Sequence, residues 1–338
     1  MAVPSMAGRF MAVAKAQALD LLSTGEKPDK ETLARRIREG PLHGTVTVAG
    51  VEIQLQPLSP SIGTVVEGVD LAALTPALRD FLHGLWLQRK VLFFRGQSHL
   101  TRQQHVDLAE QFGTVGAHHG ERDWVPENEF VTLDRSTPPG FPDIIRIYSD
   151  EKSRNAAASW HSDVMWSTRP PMASMLLARE VPPVGGDTCF CDMYAMWEGL
   201  RPETREKLEG LRGINIGNPG HARDSKIPSA EHPCARTHPE TGCTGLYVAP
   251  GFTRRILGVS AEESAALLTE CSAQAGMPEY SCRFHWEKGS LAFWDNRACL
   301  HYATPDSWPY TRHLERVTVL DRDESKKAPY FAPRRAKL

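Results

Sequence analysis

The sequence predicts a mainly β fold with flanking α-helices, a β-sandwich or jelly roll. Three observations carry this reading. The C-terminal third reads as closely spaced short strands at residues 282–287, 290–294, 298–303 and 310–320. Helical segments are few, and several carry their own start or stop signals. No G-x-G-x-x-G or P-loop pattern marks a nucleotide-binding α/β unit.

Each element has its local reason. Residues 30–39 read as a short charged helix ended by Gly40-Pro41. Residues 51–55, Val-Glu-Ile-Gln-Leu, alternate apolar and polar, the period of a half-buried strand. Residues 75–88 place Leu78, Phe81, Leu82 and Leu85 on one helical face. Residues 91–94 are a short apolar strand closed by Arg95-Gly-Gln97. Thr101 caps a helix running to Phe112, with Gln104 placed to complete a capping box. Residues 113–158, rich in Pro, Gly, Asp and Asn, read as one long loop region. Residues 172–180 are strand-like. Residues 192–211 are helical in parts, with Pro202 at a helix start. Ser260 caps a further helix, with Glu263 three residues on and Gly276 as its stop.

Composition narrows the function classes. The chain has 338 residues, 41% hydrophobic and 24% charged, enough for one large domain or two small ones. With 39 Lys+Arg against 41 Asp+Glu the net charge is −2, so the basic excess of a nucleic-acid binder is missing. No apolar run approaches the length of roughly 20 residues that a membrane span needs. Seven cysteines, an odd number, fall mostly as singles in apolar stretches and read as reduced packing residues. The first 22 residues lack a secretory pattern, which points to the cytoplasm. The last three, Ala336-Lys337-Leu338, resemble a peroxisomal Ser-Lys-Leu tail and offer that address as the alternative.

Thirteen histidines invite a search for a metal site. His105 and Asp107 lie inside the expected helix, about 200° apart, and read as helix surface. His161-Ser-Asp163 lies in an extended stretch before a strand, where residues two apart point the same way. Both could reach one ion with Ser162 turned aside. His285-Trp-Glu287 and His313-Leu-Glu315 are weaker pairs, because alternating strands often place such residues on the solvent face. One pair and a distant His make a 2-His-1-carboxylate set, which leaves three open positions on Fe(II). The ligands alone leave the metal open.

The stretch Trp294-Asp-Asn-Arg297, His301, Ala303, Asp306, Arg312, Arg316 resembles the C-terminal signature of the taurine dioxygenase (TauD/TfdA) family of Fe(II)/2-oxoglutarate dioxygenases. His301 to Arg312 is eleven residues, and Arg312 to Arg316 is four, as in the family. Trp160-His-Ser-Asp163, Pro170-Pro171, Gly185-Gly-Asp-Thr188, Arg236-Thr-His-Pro239 and Gly251-Phe252 also resemble family segments, as do Pro57-Leu-Ser-Pro60, Gly68-Val-Asp70 and Phe94-Arg-Gly96. The resemblance implies a double-stranded β-helix (a cupin-like jelly roll) over residues 51–325, behind an accessory segment 1–50 and before a tail 326–338. It implies His161, Asp163 and His301 as iron ligands and catalytic centre, with 2-oxoglutarate and O2 as cosubstrates. The distal carboxylate of 2-oxoglutarate needs a planar cationic fork, which Arg312 supplies. Thr188 is implied as its hydroxyl partner.

Strand residues four apart face the same way, so Arg312 and Arg316 should both point inward. A buried Arg316 needs an anionic partner, either a substrate head group or an internal acid. The resemblance implies the former: a small organic anion, most simply a sulfonate released as sulfite with an aldehyde, succinate and CO2. The alternative is hydroxylation or desaturation of a carboxylate or amino-acid-like metabolite. The same matching implies His118 (or His119), Val164, Trp166 and Phe252 as pocket residues. Taurine-type members carry an Asn four residues before the first metal His, where this chain has Ala157. That points away from taurine and toward a bulkier or less polar anion. Family members form dimers or tetramers, so a homodimer or homotetramer is expected.

Overall fold

The structure, a computed structural model, describes residues 42–115, 137–152, 158–218 and 227–327. The expected helix at 30–39, His118, His119, Ala157 and the C-terminal tripeptide lie outside these residues.

The first strands are β1 (Gly44–Val48), β2 (Val51–Pro57), β3 (Thr64–Glu67), β4 (Val91–Phe94), β5 (Thr114–Val115) and β6 (Ile144–Ser149). There follow β7 (Ala173–Glu180), β8 (Thr188–Asp192), β9 (Arg212–Ile216), β10 (Ser229–Pro233), β11 (Ala235–Thr237) and β12 (Thr244–Leu246). The last are β13 (Thr253–Leu257), β14 (Ser281–Phe284), β15 (Leu291–Asp295), β16 (Cys299–Ala303) and β17 (Arg312–Leu320). The α-helices are α1 (Pro76–Arg89), α2 (Arg102–Phe112), α3 (Met193–Gly199), α4 (Pro202–Leu208), α5 (Ala261–Gln274) and α6 (Glu324–Lys327).

The large sheet runs β1-β2-β3-β4-β15-β7-β17-β5, with β6 also paired to β17. The small sheet β14-β8-β16 lies against its inner face. Phe93, Leu176, Trp294 and Leu314 from the large sheet meet Phe190, Phe284 and Cys299 from the small one. The Phe93 and Phe284 rings stack there at 4.0 Å. This is the jelly-roll arrangement the sequence suggested.

Helices α1 and α2 cover the outer face of the large sheet. Trp86 of α1 stacks on Phe293 of β15 at 4.5 Å, and burying such a ring contributes on the order of 2–3 kcal/mol. Because both faces are covered, the central strands read as unbroken apolar runs such as Val91–Phe94. A third cluster packs α3, α5 and the segment after β12 behind the small sheet.

Local signals set the helix ends. Thr75 accepts from the Leu78 amide, and Pro76 opens α1. Lys90, at φ 62°, turns the chain out of α1 into β4. Its ammonium is fully buried, 3.0 Å from Asp192, which caps α3. Thr101 and Gln104 form the expected capping box on α2.

Three expectations need correction. Residues 113–158 are not one loop, since β5 and β6 both extend the large sheet beside β17. The segment read as accessory up to residue 50 already contains β1, paired along its length with β2. His105 is not helix surface. It is 0% exposed on the face of α2 that packs against the sheet, while Asp107 is exposed.

Candidate metal and cosubstrate site

His161 and His301 are pinned to one another by their backbones. Each amide donates to the other's carbonyl, at 3.0 and 2.7 Å, in a short antiparallel bridge. Asp163 follows in a turn, not in the extended stretch expected for it. Val164 sits at φ 54°, which folds the chain back over the site. The result brings one ligand atom from each of His161, Asp163 and His301 within 4.8 Å of one another.

The donor set suits a metal cation. The Ser159 carbonyl accepts from His161 Nδ1 at 2.7 Å, which fixes the tautomer and leaves the Nε2 lone pair free. His301 Nε2 lies 3.7 Å from Asp163 Oδ1. Burial is the main reason both imidazoles resist protonation, and His301 is pushed down to about 3. Neutral imidazole is the ligating form. Burial works against the Asp163 charge, but Arg316, His301, His161 and the Ser174 hydroxyl outweigh it. They hold that carboxyl well below the usual carboxylate range.

Arg312 and Arg316 both reach inward from β17, as the alternation required. Arg316 Nη1 donates to Asp163 Oδ1 at 2.6 Å, so the internal acid is one partner it has found. Its Nε is buried with no hydrogen-bond partner among the described residues. Arg312 is buried, with Nε donating to the Gly186 carbonyl at 2.8 Å and Nη2 3.4 Å from Thr188 Oγ1. Burial lowers its pKa to about 10, which still leaves it charged at neutral pH. Gly186 makes this close approach feasible. At φ +70° a Cβ would stand 3.1 Å from Arg312 Cδ. Thr188 also accepts from Trp286 Nε1 at 3.0 Å. The β8–β16 register pairs Phe190 with His301 and Thr188 with Ala303, so Thr188 lies two residues from the level of the triad on the same face.

Phe252 stands edge-on to His161 at 5.6 Å, and Trp166 packs on Phe252 at 4.6 Å. With Val164 they form a buried apolar wall beside the triad.

The weaker histidine pairs have other duties. His285 Nδ1 contacts Asp187 Oδ1 at 2.8 Å. Glu315 is not on a solvent face; it is fully buried and held by Arg102 at 2.8 Å and Arg179 at 2.7 Å. Sequence reasoning missed Ser174, whose hydroxyl donates to Asp163 Oδ2 at 2.7 Å. A serine inside an apolar strand carries no signal of its own.

A jelly roll holding two imidazoles and a carboxylate against two inward arginines defines a metal-dependent oxygenase that uses a dicarboxylate cosubstrate. The chain belongs to the taurine catabolism dioxygenase TauD, TfdA family, whose description matches residues 54–318. It is 32% identical over 279 residues to a Schizosaccharomyces pombe protein carrying the name of an alpha-ketoglutarate-dependent sulfonate dioxygenase, covering 79% of this chain and 69% of that one. It is 29% identical over 287 residues to a Pseudomonas putida alpha-ketoglutarate-dependent sulfate ester dioxygenase, covering 80% and 90%. A crystal structure of a taurine dioxygenase from Burkholderia xenovorans superposes with a TM-score of 0.67 at 36% identity, covering 80% of this chain and 91% of that one. The protein is therefore a dioxygenase dependent on Fe(II) and 2-oxoglutarate, with O2 as second cosubstrate. Among the described residues no helix is long and apolar enough to cross a membrane.

Proposed function

We propose that the enzyme oxidises a small organic sulfonate at the carbon bearing sulfur, releasing sulfite and an aldehyde together with succinate and CO2. Arg316 carries this reading. Its guanidinium is mostly buried, touches a triad residue through Nη1, and has a buried Nε with no hydrogen-bond partner among the described residues. An uncompensated donor in such a place favours an anionic ligand. The relatives named for sulfonate and sulfate ester substrates support the choice of anion.

His161, Asp163 and His301 hold the iron in this reading. Arg312 and Thr188 take the distal carboxylate of 2-oxoglutarate. Iron supplies O2 activation coupled to decarboxylation of the cosubstrate. The chain's own residues bind and orient. Arg316 anchors the sulfonate beside the triad. Trp166, Phe252 and Val164 enclose the carbon skeleton and keep bulk water from it. Hydroxylation next to sulfur gives a carbon that sheds sulfite as its C–S bond breaks and its oxygen becomes a carbonyl. The second reading, hydroxylation of a carboxylate without sulfite, has one observation in its favour. A relative 30% identical is named a 2,4-dichlorophenoxyacetate dioxygenase.

The test is succinate formation with Fe(II), ascorbate and 2-oxoglutarate across sulfonates, alkyl sulfates and aryloxy-carboxylates, with sulfite assayed in parallel. Succinate with equimolar sulfite on a sulfonate is the expected result. Coupled turnover on a carboxylate with no sulfite would replace the first reading by the second.

A further inference from the structure

Asp163 is the one ligand of the triad that can offer two oxygens to a metal. What it offers depends on how its second oxygen is held. Trp294 Nε1 donates to Asn296 Oδ1 at 2.8 Å. An indole N–H is only a donor, so this contact fixes which way the Asn296 amide faces. Its Nδ2 then donates to Ser174 Oγ at 3.1 Å. With that acceptor position filled, the Ser174 hydroxyl proton points to Asp163 Oδ2 at 2.7 Å. Ser174 is wholly buried, and the β7–β15 register sets it opposite Trp294. Trp294 and Ser174 are placed by strands, Asn296 by the turn after β15, and Asp163 by the turn after the His161 bridge.

We infer that Ser174 is a positioning residue, the end of a one-way relay from Trp294 through Asn296, which holds Oδ2 of Asp163 away so that Oδ1 alone faces the metal. Oδ1 is the oxygen beside His301 Nε2, at 3.7 Å. A carboxylate fixed in this way would offer a bound metal one oxygen and would leave its other positions to the cosubstrates. Arg316 Nη1 donates to Oδ1 at 2.6 Å, so without the hydroxyl the carboxylate keeps that tether, but Oδ2 loses its hydrogen bond and is released to compete for a position that 2-oxoglutarate would need. The inference rests on the assignment of His161, Asp163 and His301 as ligands.

The test uses the full chain, stripped of metal and titrated with Co(II), whose visible absorption reports coordination number. His161→Ala, the control for the ligand assignment, should abolish saturable binding. Ser174→Ala should melt within a few degrees of the parent yet bind Co(II) about 10–100-fold more weakly, with an altered visible band. Its KM for 2-oxoglutarate should rise more than its kcat falls. Ser174→Cys, which keeps a weak donor, should restore part of the affinity and the band. Asn296→Asp leaves Ser174 in place but turns its proton toward residue 296, and should reproduce the Ser174→Ala spectrum. A Ser174→Ala spectrum and affinity equal to the parent's would overturn the inference. So would a loss that tracks melting temperature alone and is not restored by cysteine. Tight binding retained in His161→Ala would instead sink the ligand assignment itself.

Discussion

Arg312 carries its charge in an almost closed space, where Nε donates to the Gly186 carbonyl, Nη2 lies near the Thr188 hydroxyl, and the Asp187 and Asp306 charges act on it. In Arg312→Gln, KM for 2-oxoglutarate should therefore rise about 10–100-fold, the worth of a charge-assisted hydrogen bond. Turnover at saturating cosubstrate should fall less. Steady-state succinate assays decide it, and an unchanged KM would remove Arg312 from cosubstrate binding. At this scale the sequence was readable where side-chain type and spacing meet chemistry. His161, Asp163 and His301 come from a short motif and a long-range resemblance, and the structure brings all three together. Ser174 was unreadable because its role depends on lying opposite Trp294, across 120 residues of chain. His105 was misread for a related reason. Helical period separates it from Asp107 but does not say which of the two faces the sheet covers.

Elements with capping chemistry were legible nearly to the residue. Helices α2 and α5 start after Thr101 and Ser260, each of which accepts a backbone amide as expected, and α1 starts after Thr75, which does the same although the sequence reading placed it inside the helix. Strands β9–β13 were missed. They have three to five residues each, and segments such as Ala-Arg-Thr show no alternation to read. β6 was hidden in a Pro- and Gly-rich stretch, because its pairing partner β17 lies far along the chain. The join between elements offers a test. Lys90 ends α1, and Asp192 starts α3, with both side chains inaccessible to solvent. Burial lowers the Lys90 pKa, and Asp192 is the first group to offset it. Lys90→Met strands that carboxylate and should cost about 3–5 kcal/mol in denaturant unfolding. Adding Asp192→Asn, which still caps α3, should return part of the loss. A single variant as stable as the parent would show that the pair does not couple the two helices.

Across the whole molecule, buried histidines outside the ligand triad set a pH response. Burial is the main cause that lowers both His105 and His232 to about 4, from an ordinary value of 6.5. The unfolded chain takes up these protons first. Stability should be full above about pH 6.5 and fall progressively toward pH 4, by at most about 3 kcal/mol per histidine. The depressed carboxylates Asp295 and Glu240 respond only at lower pH, so the upper part of the window belongs to the histidines. Guanidinium unfolding at pH 7 and pH 5 measures the slope, which His105→Leu should reduce. Equal stability at the two pH values would contradict the assignment.

β17 lies inside the large sheet, hydrogen-bonded to β7 on one side and to β5 and β6 on the other. It is also the last strand described, and it carries both Arg312 and Arg316. During synthesis the ribosome therefore delivers this interior strand after the strands on both sides of it. Until then β6 and β7 present raw edges, the kind of surface on which nascent chains aggregate. A chain stopped at Ser307 has already made His161, Asp163 and His301, yet it should bind hydrophobic dye and precipitate. Translation order thus keeps the anion clamps out of the enzyme until the strand that joins β7 to β5 and β6 has emerged.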